Sequence, residues 1–347
     1  MRELTIASSG VRALLELAVL KGANRAILLE RSMIDPSDLS DRDNRIAFSK
    51  YVALMRAGQD MLSDPALALH FGEAVDVSDV SIACTLAGLG VANIDEAIAQ
   101  VNRYASLGAD VERADGGDRY QLKRFNGQLW IVDQRRNPNE FPELTESGFA
   151  GMICSTRRTF PQMKFHKEMH FTHSAPSYRD EYERIFQVPI VFDSTENAMR
   201  IDEALVAKMQ LPRTSPYVTS VLRDHAEELL QKIESERSTR DRVENVLTAG
   251  LKDGNADVAC VARKLGLSRQ TLFRKLRDEG VTFQGVLAEL RCSLAKHYLN
   301  DQKVSVKETA YLLGFSDPTA FSRAFKRWTG QSPAACTRVS ERSRTLR

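Results

Sequence analysis

The sequence predicts an α+β N-terminal domain, helices plus a small antiparallel sheet, followed by an all-α domain with two helix-turn-helix units joined by a long helix. Three observations carry this expectation. Asn126-Gly127 separates two strand-like segments in the first half, and a stretch of some twenty residues recurs in the last third. The charge also divides along the chain. From Arg240 to the end there are 20 Lys+Arg against 11 Asp+Glu, a net +9, whereas the residues before carry −7, leaving +2 overall. An acidic front and a basic back imply that only the back meets a polyanion.

A chain of 347 residues has room for two or three domains, each with its own core. Its 43% apolar and 27% charged residues are ordinary for a globular protein. No apolar run approaches the roughly 20 residues that span a bilayer. "VRALLELAVL" near the start is interrupted by Arg12 and Glu16 and lacks a small-residue cleavage site, so it is not read as a signal peptide. Five cysteines (Cys84, Cys154, Cys260, Cys292 and Cys336), with no CxxC pair, fit reduced thiols in a cytoplasmic protein with no membrane association. No GxSxG, P-loop, GxGxxG or HExxH occurs, so nothing argues for an enzyme, and no cofactor or metal is expected.

In chain order, Phe48, Val52, Met55 and Leu62 recur at helical spacing, as do Ile94, Ile98, Val101 and Ala105 behind an Asn93-x-x-Glu96 start of capping-box type. Gly116-Gly117 and Asn126-Gly127 then punctuate three segments, "ADVERA", "DRYQLKRF" and "QLWIVDQ", which predict an antiparallel meander. A helix is expected from about Glu143 to Thr159, a fourth strand in "MKFHKEMHFTH" and a further helix in "SYRDEYERIF". Residues 1–211 thus form the first domain. Pro212 and Pro216 break the chain, and "YVTSVLRDHAEELLQKIESE" supplies a connecting helix within 212–237. Val218, Leu222, Ala226, Leu229 and Ile233 line one side of it, suited either to the adjoining domain or to a second copy of the chain.

The last third repeats itself. "VARKLGLSRQTLFRKLRDEG" (261–280) lies over "TAYLLGFSDPTAFSRAFKRWTG" (309–330). Ala262 matches Ala310, Leu265 matches Leu313, Gly266 matches Gly314 and Ser268 matches Ser316. After one inserted residue, Leu272 matches Phe321, Arg274 matches Arg323 and Leu276 matches Phe325. Each copy describes a helix-turn-helix. The alanine lets two helices cross closely, the leucine is buried at the crossing, the glycine takes the turn and the serine caps the second helix. The apolar pair at spacing four holds that helix inward. Between the copies, "FQGVLAELRCSLAKHYLN" (283–300) makes the long joining helix, with Val286, Leu290, Leu294 and Leu299 as apolar contacts.

The outward residues are of the kinds that read double-stranded DNA. In the first copy they are Arg269, Gln270, Arg274 and Arg277, behind the Ser268 cap. The second copy offers Thr319, Ser322, Arg323, Lys326 and Arg327. Arginine donates a bidentate pair to guanine, glutamine pairs with adenine, and serine or threonine bonds bases or phosphates. Two such helices about one DNA turn apart, roughly 34 Å, would enter successive major grooves. Residues 238–336 therefore read as a DNA-binding domain, and 337–347, ending in "SERSRTLR", as a basic tail.

Residues from about 240 to 335 resemble the DNA-binding domain of the AraC/XylS family of bacterial transcription regulators, and "GFSDPTAFSRAFKRWTGQSP" is close to that family's signature. The family pattern ends in Tyr-Arg after the proline, where this chain has Cys336-Thr337. "SDPALALHFG", "NIDEAIAQVNRY", "HFTHSAP" and "FDSTENAMRID" are similar to the N-terminal domain of the branch labelled arabinose-binding-like. The resemblance implies an effector or dimerisation domain, an unknown small-molecule effector, RNA polymerase as partner, a possible homodimer, and activation as the mode of control. Tyr104, Tyr120, Phe125, Trp130, Phe149 and Phe171 suit either a small-molecule pocket or a solid core, with Tyr120 and Trp130 the first effector-binding candidates. A regulator controlled by abundance or by a protein partner fits the same sequence, as does, less well, an enzyme domain fused to a DNA-binding module. His166, His170 and His173 lie in one strand, the first two expected on one face. They read as ordinary strand histidines rather than ligands.

Overall fold

The computed structural model describes residues 4–336, apart from 42, 77–79, 81–84, 87–92, 113–116, 208–214, 237, 252–255 and 302–303. It divides into two compact units, Met1–Arg113 with Asp118–Lys232, and Ile233–Arg347 with Ala114–Gly117. Among the described residues no helix is long and apolar enough to cross a membrane.

The first unit begins with β1 (Thr5–Ala7), α1 (Ser8–Leu20), α2 (Arg25–Ser32), β2 (Arg45–Ala47), α3 (Phe48–Leu62) and α4 (Leu67–Ala74). β1 and β2 pair antiparallel as a separate two-stranded sheet. Val11, Leu14, Leu15, Leu28, Leu54 and Met55 close the core of this helical layer. There follow α5 (Ile94–Gly108), β3 (Tyr120–Phe125), β4 (Gln128–Asp133), α6 (Glu143–Thr159), β5 (His166–His170), α7 (Arg179–Phe186), β6 (Ile190–Val191), β7 (Asn197–Ile201) and α8 (Glu203–Val206). The five strands form one sheet in the order β3-β4-β7-β5-β6, antiparallel except for the β5–β6 pair. Two predicted local signals of this unit are present, whereas Gly116 of the expected Gly116-Gly117 turn lies outside the described residues. The Asn93 side chain accepts from the Glu96 amide at 2.9 Å. Asn126 and Gly127 both have positive φ, 51° and 75°, as a two-residue hairpin turn requires. α4 and α6 meet backbone to backbone, because a Cβ at Gly72 would lie 2.4 Å from the Ser147 carbonyl oxygen.

Three expectations need correction. The described part of "ADVERA" is not a meander strand. Ala109 bridges to Ile6, and the Asp110 amide donates to the Thr5 carbonyl at 2.7 Å. Its carboxylate accepts from Thr5 Oγ1 at 2.7 Å and from Arg45 at 3.3 Å, so a partly buried ion pair holds the segment to the first sheet. The central strand is β7, which the sequence reading did not assign. His166 and His170 do not share a face, because a bulge between His166 and Glu168 shifts the register. His166 pairs with Ile201 on the helix-packed face and bonds the Phe186 carbonyl at 2.7 Å. His170 turns to the other face, against the Trp130 ring at 4.7 Å. Among the described residues no group of three His, Cys, Asp or Glu side chains is placed to hold a metal ion.

α9 (Pro216–Glu236) is a helix over most of the segment expected to connect the two domains. Ala226 is buried, and Glu227 accepts from Tyr104 Oη at 2.6 Å and Arg103 Nε at 2.9 Å, so this side of the helix is fastened to α5. Tyr217, Val218 and Val221 are exposed. The second unit continues with α10 (Thr239–Gly250), α11 (Val258–Lys264), α12 (Arg269–Asp278), α13 (Phe283–Lys296), a π-helical turn His297–Asp301, α14 (Val306–Leu312) and α15 (Pro318–Thr329). One core joins them, and Val286, Leu290, Leu294 and Leu299 all enter it. Cys336 packs at its edge, whereas Thr337 and the tail lie outside the described residues.

Glu146, in the middle of α6, is fully buried. Its Oε1 accepts from the hydroxyls of Tyr182 and Tyr178, while Oε2 has no partner among the described residues. Loss of water pushes its carboxyl from the ordinary 4.5 up to about 7, against the pull of the tyrosine hydrogen bonds. A raised acid favours the neutral form in the fold. Its contribution is therefore complete below the unfolded value near 4.5 and is lost as pH rises through about 7. Glu146→Gln should remove a destabilisation of roughly 3 kcal/mol that develops between about pH 4.5 and pH 7. His166, lowered by its own burial, slopes the opposite way, so wild type and variant are to be melted side by side at each pH. Parallel melting curves across the range would refute the assignment.

Candidate nucleic-acid interface

Asp257 opens α11 by accepting from the amides of Ala259 and Cys260. The helix ends on Gly266, at φ 68°, where the Gly266 amide donates to the Arg263 carbonyl and the Leu267 amide to the Ala262 carbonyl. The later copy repeats the two turn bonds. α14 starts at the Ser305 cap, Gly314 has φ 72°, its amide donates to the Tyr311 carbonyl, and the Phe315 amide donates to Ala310. The two turns are the same device, with a left-handed glycine capping the helix end. Ala262 and Ala310 are buried at the crossing, as is Leu313, whereas Leu265 is only half-buried against the core.

The second helices differ at their starts. Ser268 caps α12, its Oγ accepting from the Thr271 amide at 3.1 Å. Ser316 does not cap α15, contrary to expectation. Asp317 takes that place, accepting from Thr319 and Ala320, and Pro318 occupies the first turn. The inserted residue has moved the cap by one position, to a proline-led start where a missing amide costs nothing. The amides hold the Asp317 carboxylate below its usual range, and Arg323 adds to the effect.

Leu272 and Leu276 in α12, and Phe321 and Phe325 in α15, are fully buried. Arg269, Gln270, Arg274 and Arg277 are all exposed on α12, and Thr319, Arg323, Lys326 and Arg327 on α15. None of the six cations makes a salt bridge to another described residue. Ser322 is half-buried and donates its hydroxyl to the Pro318 carbonyl at 2.9 Å. Phe273, absent from the sequence reading, is 51% exposed on the flank of α12. Its position three after Gln270 and one before Arg274 was the available signal. Arg291 is a cation turned to structural use: its Nε donates to the Leu313 carbonyl at 3.0 Å and its guanidinium lies 4.6 Å over the Phe315 ring.

The effector candidates are not brought together. Alternation along β3 and β4 puts Tyr120 on the helix-packed face, in the core with Phe149 and Ile131. Trp130 lies on the opposite face with Val132 and Ala198, its Nε1 without a partner among the described residues. Tyr104, Phe149 and Phe171 are buried, and Phe125 is exposed.

The chain resembles known proteins over both units. A family model described as the arabinose-binding domain of AraC transcription regulator, N-term, matches residues 22–209. A second, described as a helix-turn-helix domain, matches residues 261–338. The ornithine utilization regulator of Pseudomonas aeruginosa is 28% identical over 332 residues, 93% of each chain. The HTH-type transcriptional activator RhaS of Escherichia coli is 42% identical over 93 residues, 26% of this chain and 34% of its own. The solved structure of the transcriptional regulator CdpR from Pseudomonas aeruginosa covers 79% of this chain and 87% of its own, at 21% identity. Its TM-score of 0.32 is too low to bear on the fold.

The two turn glycines differ in surroundings, which gives a test of the geometry. A Cβ at Gly266 would meet nothing within 4 Å, whereas one at Gly314 would lie 2.7 Å from the Leu251 carbonyl oxygen. Gly266→Ala should cost only the left-handed backbone penalty, about 1–2 kcal/mol. Gly314→Ala should cost clearly more, since the obstacle is backbone. Equal shifts of the denaturation midpoint would show that the second turn is not packed on α10 as described.

Proposed function

This chain belongs to the AraC/XylS family of transcription regulators, and on that premise we propose that it reads duplex DNA through two helix-turn-helix units, α11–α12 and α14–α15, joined by α13. The observation that carries the reading is the pair of exposed cationic helix faces presented by turns of identical hydrogen bonding. In this reading Arg269, Arg274, Arg277 and Arg323 reach guanine edges or phosphates and Gln270 an adenine edge. Thr319, Ser322, Lys326 and Arg327 contribute chiefly to phosphate contacts. Ser268 acts on α12 as its cap.

The first unit is the regulatory one. A small molecule held there would bias the chain between states that bind DNA with different affinity. The relative named for ornithine utilization makes ornithine and compounds of similar structure the first effectors to test. The relative named as an activator favours activation through RNA polymerase. A second reading, control by abundance or a protein partner, draws on the tight packing of Tyr104, Phe149 and Phe171.

Arg323→Ala should weaken binding of the full chain to a preferred duplex by about 5- to 150-fold, equivalent to 1–3 kcal/mol, with melting unchanged. Wild-type affinity should fall steeply with salt as counterions are released. Unaltered binding by the folded variant would remove α15 from the interface.

For the effector, metabolites are titrated against the full chain on the same duplex. One chemical class should shift Kd by about 5- to 150-fold. Trp130→Phe should move that compound's midpoint and leave the metabolite-free Kd alone. If no class shifts Kd, the second reading stands instead.

A further inference from the structure

Phe273 lies on the flank of α12, about 80° round the helix from the Leu272/Leu276 stripe, three residues from Gln270 and four from Arg277. The helix does not need it for packing, because Leu272 and Leu276 already fill the inward side and are fully buried. The fold does not need an aromatic there either. The equivalent position in the second copy, one after Phe321, is Ser322, whose hydroxyl folds back on its own helix. Phe273 makes no ring contact with another described aromatic. In the second unit the other large apolar side chain described as exposed is Tyr311, on α14.

A half-exposed phenyl ring with Arg269, Gln270 and Arg277 three or four residues away on the same helix does not match an apolar protein groove, which would require further exposed apolar neighbours. It matches a polyanionic surface with one apolar feature. The major groove of B-DNA has such a feature, the C5 methyl of thymine, which apolar side chains contact. Resting on the DNA-binding reading above, we propose that Phe273 reads a thymine through its C5 methyl. The first helix pair would then demand a thymine that the second, with Ser322 in its place, does not.

The test begins with full-length chain and a randomised duplex library, from which preferred sequences are selected. In the selected duplex each thymine is replaced singly by uracil, which removes the methyl and keeps the hydrogen-bonding edge. One replacement should weaken wild-type binding by about three- to tenfold, as loss of a buried methyl implies. Phe273→Ala should bind the thymine duplex more weakly by a similar factor and no longer distinguish thymine from uracil. Phe273→Leu, still apolar, should retain part of the preference, and both variants should melt as wild type does.

Indifference of the wild type to every replacement would overturn the proposal, as would equal losses in wild type and Phe273→Ala. Failure to select any sequence would overturn the DNA-binding reading itself, which is a separate result. Unchanged DNA preference in Phe273→Ala, with transcription lost in a reaction containing purified RNA polymerase, would overturn it in favour of a protein contact.

Discussion

Burial of two apolar side chains four residues apart, Leu272 with Leu276 and Phe321 with Phe325, fixes the rotation of each outward helix about its own axis. Once that rotation is set, the exposed side follows from 3.6-residue geometry, and the arginines have no other direction to face. The turns then set where each helix begins. A left-handed glycine ends α11 and α14 with matching bonds, and a small alanine beneath lets the pairs close. α13 gives both copies a common core, so neither depends on its own few apolar residues alone. Arg291 shows how strictly the second turn is held, since a guanidinium is withdrawn from solvent to bond its last carbonyl.

The first unit follows a different logic. Its sheet has two unlike faces, one closed by α5, α6 and α7 over Phe149, Phe171 and Met199, the other carrying Trp130, Val132 and Ala198 beside His170. Within the closed side, polar groups are retained at a cost. Glu146 is buried with one oxygen unmatched, a situation that a neutral carboxylic acid tolerates and a carboxylate does not. The second unit spends its polar groups outward, whereas the first unit keeps several inside.

Legibility in the sequence followed the range of the forces involved. Asn126-Gly127, the Asn93 cap, α6 and the repeat are written in neighbouring residues, and each was readable. What went unread was decided by distant partners. "ADVERA" has strand-like alternation, but the Arg45–Asp110 pair 65 residues apart holds it elsewhere. β7 lies at the sheet's centre, a place decided by its pairing with β4 and β5 rather than by the Asp193-Ser194-Thr195 turn residues ahead of it. A single bulge at Lys167 reversed the relation between His166 and His170, which period-two counting cannot foresee. The displaced cap at Asp317 is legible in the sequence, because the one-residue insertion between the two copies falls there. The roles of Tyr120 and Trp130 were not, because a strand pattern gives alternation but does not say which face receives the helices.

That displaced cap has a further consequence. Backbone amides at a helix start are a natural seat for phosphate, and α12 opens behind a neutral serine. α15 opens behind a carboxylate that already occupies two amides and carries negative charge. The amides at the head of α12 therefore lie behind a neutral group and those at the head of α15 behind a negative one. The one-residue insertion that moves the cap thus leaves the two copies electrically unlike where their second helices begin.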